Sequence, residues 1–159
     1  MSTILKIFIL GFVSIQCLAT EPYGLSGVWV GQGIMIIKDQ NITEKCNMNL
    51  EIDHQPGYFK VIKSEFKCGV MNIRNKDKAP LKIMNNEIYI GDKVIGTVSA
   101  EHLASFLKLA DGREQMYKMQ LSAHRNQLMY FDRVQWTDVF ETTIQGPLSR
   151  QLLQNNESQ

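Results

Sequence analysis

The chain has 159 residues, of which 44% are hydrophobic, with 17 basic and 16 acidic side chains. The basic residues are scattered among acids and form no stripe, which speaks against nucleic acid as a partner. The length is that of one domain with a real core.

Met1 to Ala19 has the layout of a secretory signal peptide: Lys6 in a short positive start, an apolar run from Ile7 to Ile15, and small-residue closure at Cys17-Leu18-Ala19. A membrane-spanning helix needs roughly 20 apolar residues. This run is shorter and meets Thr20, Glu21 and Pro22 at once, so the expectation is cleavage before Thr20 rather than a span. The alternative, a lipoprotein anchored at Cys17, is disfavoured by the bulk of Gln16 where such signals carry a small residue. The expected address is therefore exported, periplasmic or secreted, with a bacterial periplasm preferred. The expected layout is a signal over 1–19, a barrel domain over 20–146 and a flexible polar tail over 147–159.

After a short extended lead, Gly27 to Ile37 reads as the first strand, with Trp29, Gly31, Gly33 and Met35 on one face. Glycines inside a strand mark sharp bending or close backbone approach. Lys38 to Thr43 is a polar turn. Cys46, Met48, Leu50 and Ile52 then alternate with Asn47, Asn49, Glu51 and Asp53, the period of a half-buried strand. His54 to Gly57 supplies a turn, and Ile62, Ser64, Phe66 and Cys68 return on one face. Pairing residues whose numbers sum to 114 sets Cys46 against Cys68 and Ile52 against Ile62. Once the signal is removed these are the two remaining cysteines, and an even pair in an exported chain is most simply a disulfide.

Asn72 to Pro80 is charged and irregular and reads as an exposed loop. Short strands follow: Leu81 to Met84, Ile88 and Ile90 after an Asn85-Asn86 turn, and Val94, Gly96 and Val98 after Gly91-Asp92. Leu103, Leu107 and Leu109 share a face. Asp111-Gly112 turns the chain into Tyr117, Met119, Leu121 and Ala123. Leu128 to Trp136 has ambiguous parity, because Met129 and Phe131 compete with Leu128 and Tyr130. Phe140, Thr142 and Ile144 mark a last strand that Gly146-Pro147 is expected to end.

The pattern gives eight to ten hairpin-linked strands and no amphipathic helix of useful length. The expected fold is all-β, a single antiparallel up-and-down barrel, which closes both edges of a long meander; a two-sheet sandwich is the alternative. Catalytic signatures are absent from the sequence. His54, His102 and His124 fall at or near turns, where histidines are usually solvated, and no zinc-binding helix, nucleophile elbow, P-loop or dinucleotide fingerprint occurs. Neither Cys46 nor Cys68 has a second metal-ligating neighbour at useful spacing. The chain is thus expected to be non-enzymatic, without cofactor or metal. Interior positions of a barrel this size can hold one small ligand, and the methionines suit ordinary core filling as well as the lining of an irregular pocket.

Two resemblances attach to particular residues. Leu25-Ser26-Gly27-Val28-Trp29, at the start of the first strand of an antiparallel barrel, resembles the opening of the calycin group, lipocalins included. That resemblance implies an inward Trp29 at the closed end with an arginine from a late strand packed over it, and Arg133 is the position expected to match. The order Leu25-x-Gly27-x-Trp29, Cys46-x-Met48-x-Leu50, Cys68 is also similar to bacterial inhibitors of secreted metalloproteases, small barrels with one disulfide in a like place. It implies a protein partner, reached through the loops or an N-terminal segment. The leading functional expectation is an apolar or amphipathic small ligand held among Ile88, Ile90, Leu107, Tyr117, Met119 and Leu121, with Trp29 and Arg133 closing one end.

Overall fold

A computed structural model describes residues 23–136 and 140–151. The leader, Cys17 and the residues after Gln151 lie outside that range. Eleven strands follow in chain order: β1 (Gly27–Ile37), β2 (Ile42–Gln55), β3 (Tyr58–Cys68), β4 (Met71–Lys76), β5 (Leu81–Met84), β6 (Glu87–Ile90), β7 (Lys93–Val98), β8 (His102–Lys108), β9 (Glu114–Leu121), β10 (Gln127–Gln135) and β11 (Glu141–Arg150). A single 3₁₀ turn, Lys38–Gln40, links β1 to β2. Neighbouring strands are antiparallel. β1 lies between β2 and β11, and β2 also pairs with β3, so the sheet closes on itself as a barrel.

Tight turns enforce the meander. Asn85 and Asn86 both take left-handed backbone, φ 52° and 63°, as the two-residue turn between β5 and β6 requires. β4 and β5 share one edge of β3: β4 pairs with Lys63–Cys68 and β5 with Tyr58 and Phe59. The wall is therefore low where the short strands β5 to β7 run, and the segment 77–80 crosses beside that low stretch.

Cys46 and Cys68 are joined and directly opposed, with Cα atoms 4.1 Å apart. The sum-114 register holds from that pair to Glu51 and Lys63. A β-bulge then shifts it, so that Ile52 faces Val61 instead of Ile62 and the inward side chains of β3 become Phe59 and Val61. A second bulge lies opposite Ile88, where β7 offers both Ile95 and Gly96. It turns Ile95 inward and leaves Val94 exposed, the reverse of simple alternation. A side chain at Gly96 would stand 2.1 Å from the Ala104 carbonyl oxygen, so only glycine fits there.

β1 and β11 approach each other equally closely. A Cβ on Gly33 would meet the Gln145 carbonyl at 2.3 Å, and one on Gly146 would meet the Gly33 Cα at 2.5 Å. This contact corrects the expected end of the domain at 146. β11 runs straight through Gly146-Pro147 to Arg150, with Pro147 opposite Met129 and Leu148 wholly buried. Because Gly146 and Pro147 sit where β1 loses its regular ladder between Gly31 and Ile34, the missing proline N–H breaks no bond there. Two other expectations change. Asn72–Lys76 belongs to β4, leaving only 77–80 irregular, and His54 is a buried residue of β2 instead of a solvated turn residue.

Candidate functional site

The inward faces of the long strands divide the barrel into a packed end and an open end. At the packed end Trp29 is fully buried, its indole Nε1 donates to the Leu25 carbonyl at 2.9 Å, and a guanidinium lies over the ring with its carbon 4.5 Å from the centroid. That guanidinium is Arg150, from the last strand. Arg133 cannot reach, because its β10 neighbours Asp132 and Val134 line the interior and alternation turns Arg133 outward, where it meets Glu141 at 3.9 Å. His54 helps to seal the same end. Its Nδ1 accepts from the Leu25 N–H at 3.2 Å, its backbone N–H and C=O both engage the Ser26 hydroxyl at 2.8 Å, and Tyr23 and Phe59 meet its ring edge-on. Burial holds the His54 pKa below the usual histidine value.

The other end is hollow. A mouth cavity of about 390 Å³ is lined by the mouth-side halves of β1, β3, β4, β9, β10 and β11, including Met35, Phe66, Ile73, Tyr117, Asp132 and Phe140. A smaller cavity of about 160 Å³ lies below the low wall, among Phe59, Leu81, Ile90, Ile95, Ser105 and Leu107. Lys78, Gln115 and Tyr117 line both, so the two meet at one point. A volume of about 300–1,000 Å³ with a mainly apolar lining and a few converging polar groups is the usual form of a small-molecule site. A larger hollow of about 640 Å³ sits on the outer face over the Gly33–Gly146 contact and has no such inward polar cluster.

The converging polar groups are Gln115, Tyr117, Tyr130 and Asp132. Gln115 Nε2 donates to Asp132 Oδ1 at 2.9 Å, and the Tyr130 hydroxyl reaches Asp132 Oδ2 at 3.4 Å. The Tyr117 and Tyr130 rings meet at right angles, 5.4 Å apart, and Phe66 packs on Tyr130 at 5.3 Å. Burial, more than the nearby Asp132 charge, pushes both phenols upward, so both are protonated donors at any ordinary pH. Burial also raises the Asp132 carboxyl, against the opposing pull of the Gln115 bond, Lys78 and Tyr130. At the rim, Trp136 is 48% exposed, with Arg113 stacked over it at 4.5 Å and Phe140 beside it.

Of the residues expected to line a cavity, Ile90, Leu107 and Tyr117 do so. Ile88, Met119 and Leu121 line neither of these two cavities and are buried in the packed half. Trp29 closes its end as expected, and Arg133 does not. The mouth residues Asp132, Tyr130 and Gln115 were not anticipated. For Tyr130 and Asp132 the signal was present in the alternation Leu128-x-Tyr130-x-Asp132-x-Val134, which competing apolar residues at Met129 and Phe131 obscured.

No family model matches the chain, and no curated protein is found to be similar to it. Among the described residues no cluster of three or more potential metal ligands occurs, and no helix is long and apolar enough to cross a membrane.

Proposed function

We propose that this protein is an exported, non-catalytic barrel that binds one small amphipathic ligand through its open end. The observation that carries the reading is the pair of cavities meeting at Tyr117, one polar at its centre and one apolar. The ligand's apolar body occupies the smaller cavity and the aromatic mouth, and its polar end meets the Asp132 cluster. Trp29 under Arg150 supports kinship with the calycin group, since an arginine from a late strand over an inward tryptophan is what that resemblance implies. The disulfide is consistent with an oxidising compartment and so supports export by the leader.

A protein-binding role is the second reading, and the β3–β4 hairpin favours it: Val70 is fully exposed at the tip, next to the partly exposed Met71. One titration separates the two. Adding a neutral fluorescent naphthylamine probe to the full chain should give saturable binding of one molecule per chain, and Leu107→Trp should weaken it by filling the smaller cavity. A linear, unsaturable signal, or one indifferent to Leu107→Trp, would sink the ligand reading and leave the hairpin as the place to look.

A further inference from the structure

The chemistry of the ligand's polar end can be read from the mouth, provided the ligand-binding reading above holds. Asp132 points into the cavity with a carboxylate whose bonds run to two uncharged groups, Gln115 at 2.9 Å and Tyr130 at 3.4 Å. An ionised carboxylate has about four acceptor sites, so two remain for something else. None of the cations among the described residues forms an ion pair with it. Arg113 is held by Asp111 at 2.7 Å and lies over Trp136, while Lys78 is exposed on the crossing segment and senses Asp132 only at a distance.

A half-buried carboxylate without a counter-cation is costly to a fold. Phe66, Tyr117, Tyr130, Trp136 and Phe140 line the same cavity, alongside the cations Lys78 and Arg113, and aromatic faces attract ammonium groups. We infer that the ligand is a cationic amphiphile, an alkyl or aryl amine whose protonated nitrogen pairs with Asp132 while its apolar part extends toward Leu107 and Ile95. Lys78 opposes such a ligand from the rim. It is solvated on a flexible stem, however, whereas the Asp132 carboxylate is fixed by its bonds and its strand.

Matched twelve-carbon probes differing only at the head test this: dodecylamine, dodecanol and dodecanoate, each displacing the naphthylamine probe from the full chain. The amine should bind about tenfold or more tighter than the alcohol, the order of a charge-assisted hydrogen bond, and the carboxylate should bind weakest. Asp132→Asn should bring amine and alcohol to within about threefold of each other, less than the worth of one such bond, without loss of alcohol binding. Equal affinity of the three probes for the wild type would overturn the inference while leaving a ligand-binding barrel. Preference for the carboxylate would overturn it in favour of Lys78 and Arg113 as the head-group site. No binding of any probe would remove both readings. Should Asp132→Asn fail to fold, the wild-type series decides alone.

Discussion

Each long strand of this barrel has one end that packs and one end that does not, and the two ends use the same alternation for different purposes. On β10, Leu128 is wholly buried in the packed half, whereas Asp132 and Val134 line the mouth. On β9 the same holds for Met119 and Leu121 against Gln115 and Tyr117. In the packed half polar groups close on each other at short range, as Ser26 and His54 do at 2.8 Å. In the mouth the Tyr130–Asp132 contact is stretched to 3.4 Å and Trp136 stands half in solvent. Polar groups with spare bonding capacity in a hollow lower stability.

The largest break in this contrast is Trp29→Ala. It should cost about 3–5 kcal/mol in denaturant unfolding, because a fully buried indole, its bond to Leu25 and its stack under Arg150 are lost together. Reducing Cys46–Cys68, which closes a separation of 22 residues, should cost about 3 kcal/mol and leave a mouth able to bind a probe if folding survives. Tryptophan substitutions sharpen the boundary. Met119→Trp, in the packed half, should destabilise by about 1–3 kcal/mol through overpacking. Leu107→Trp, beside the smaller cavity, should cost less than that and act on binding instead.

The titrations of His54 and Asp132 should then give opposite pH behaviour, each smaller than the effects above. His54 is held neutral by burial, so its folded pKa lies below the ordinary 6.5. Its contribution is complete above pH 6.5 and is lost as pH falls from there through the depressed folded value. His54→Gln should flatten the loss of thermal stability seen on acidification in that window. Asp132 is raised above its ordinary 3.8, so its favourable contribution exists below that value and disappears as pH rises through the folded one. Wherever it is ionised, the buried carboxylate is a net cost. Asp132→Asn should therefore raise the unfolding free energy slightly, by no more than about 1 kcal/mol, while reducing the amine preference.

Much of the fold was legible because period-2 alternation and turn residues are local signals. The cysteine register, the inward Tyr117, Met119 and Leu121, and the Asn85-Asn86 turn could all be read directly. What could not be read were the departures from alternation. The bulges at Glu51/Ile52 and Ile95 change which residues of β3 and β7 face inward, and a bulge is set by the partner strand and leaves no mark on composition. Gly146-Pro147 looked like a strand end because the local rule against proline is sound. The close approach of Gly33 to Gly146 makes that position the exception, and it depends on residues more than a hundred positions apart. The mouth was half legible. Which residues faced inward was accessible for β8 and β9, but how far along each strand the packing stops is a property of the closed barrel, so Met119 and Leu107 looked alike.

The two tryptophans of this chain mark the two ends, Trp29 buried with its Nε1 bonded to Leu25 and Trp136 exposed at the rim. Their indole N–H resonances in a ¹H–¹⁵N spectrum, assigned with Trp136→Phe and followed while dodecanol or dodecylamine is added, therefore test the central claim directly. The Trp136 signal should shift saturably while the Trp29 signal stays unmoved. Movement of Trp29 alone, or of neither resonance at saturating probe, would contradict a binding mouth set against a packed end.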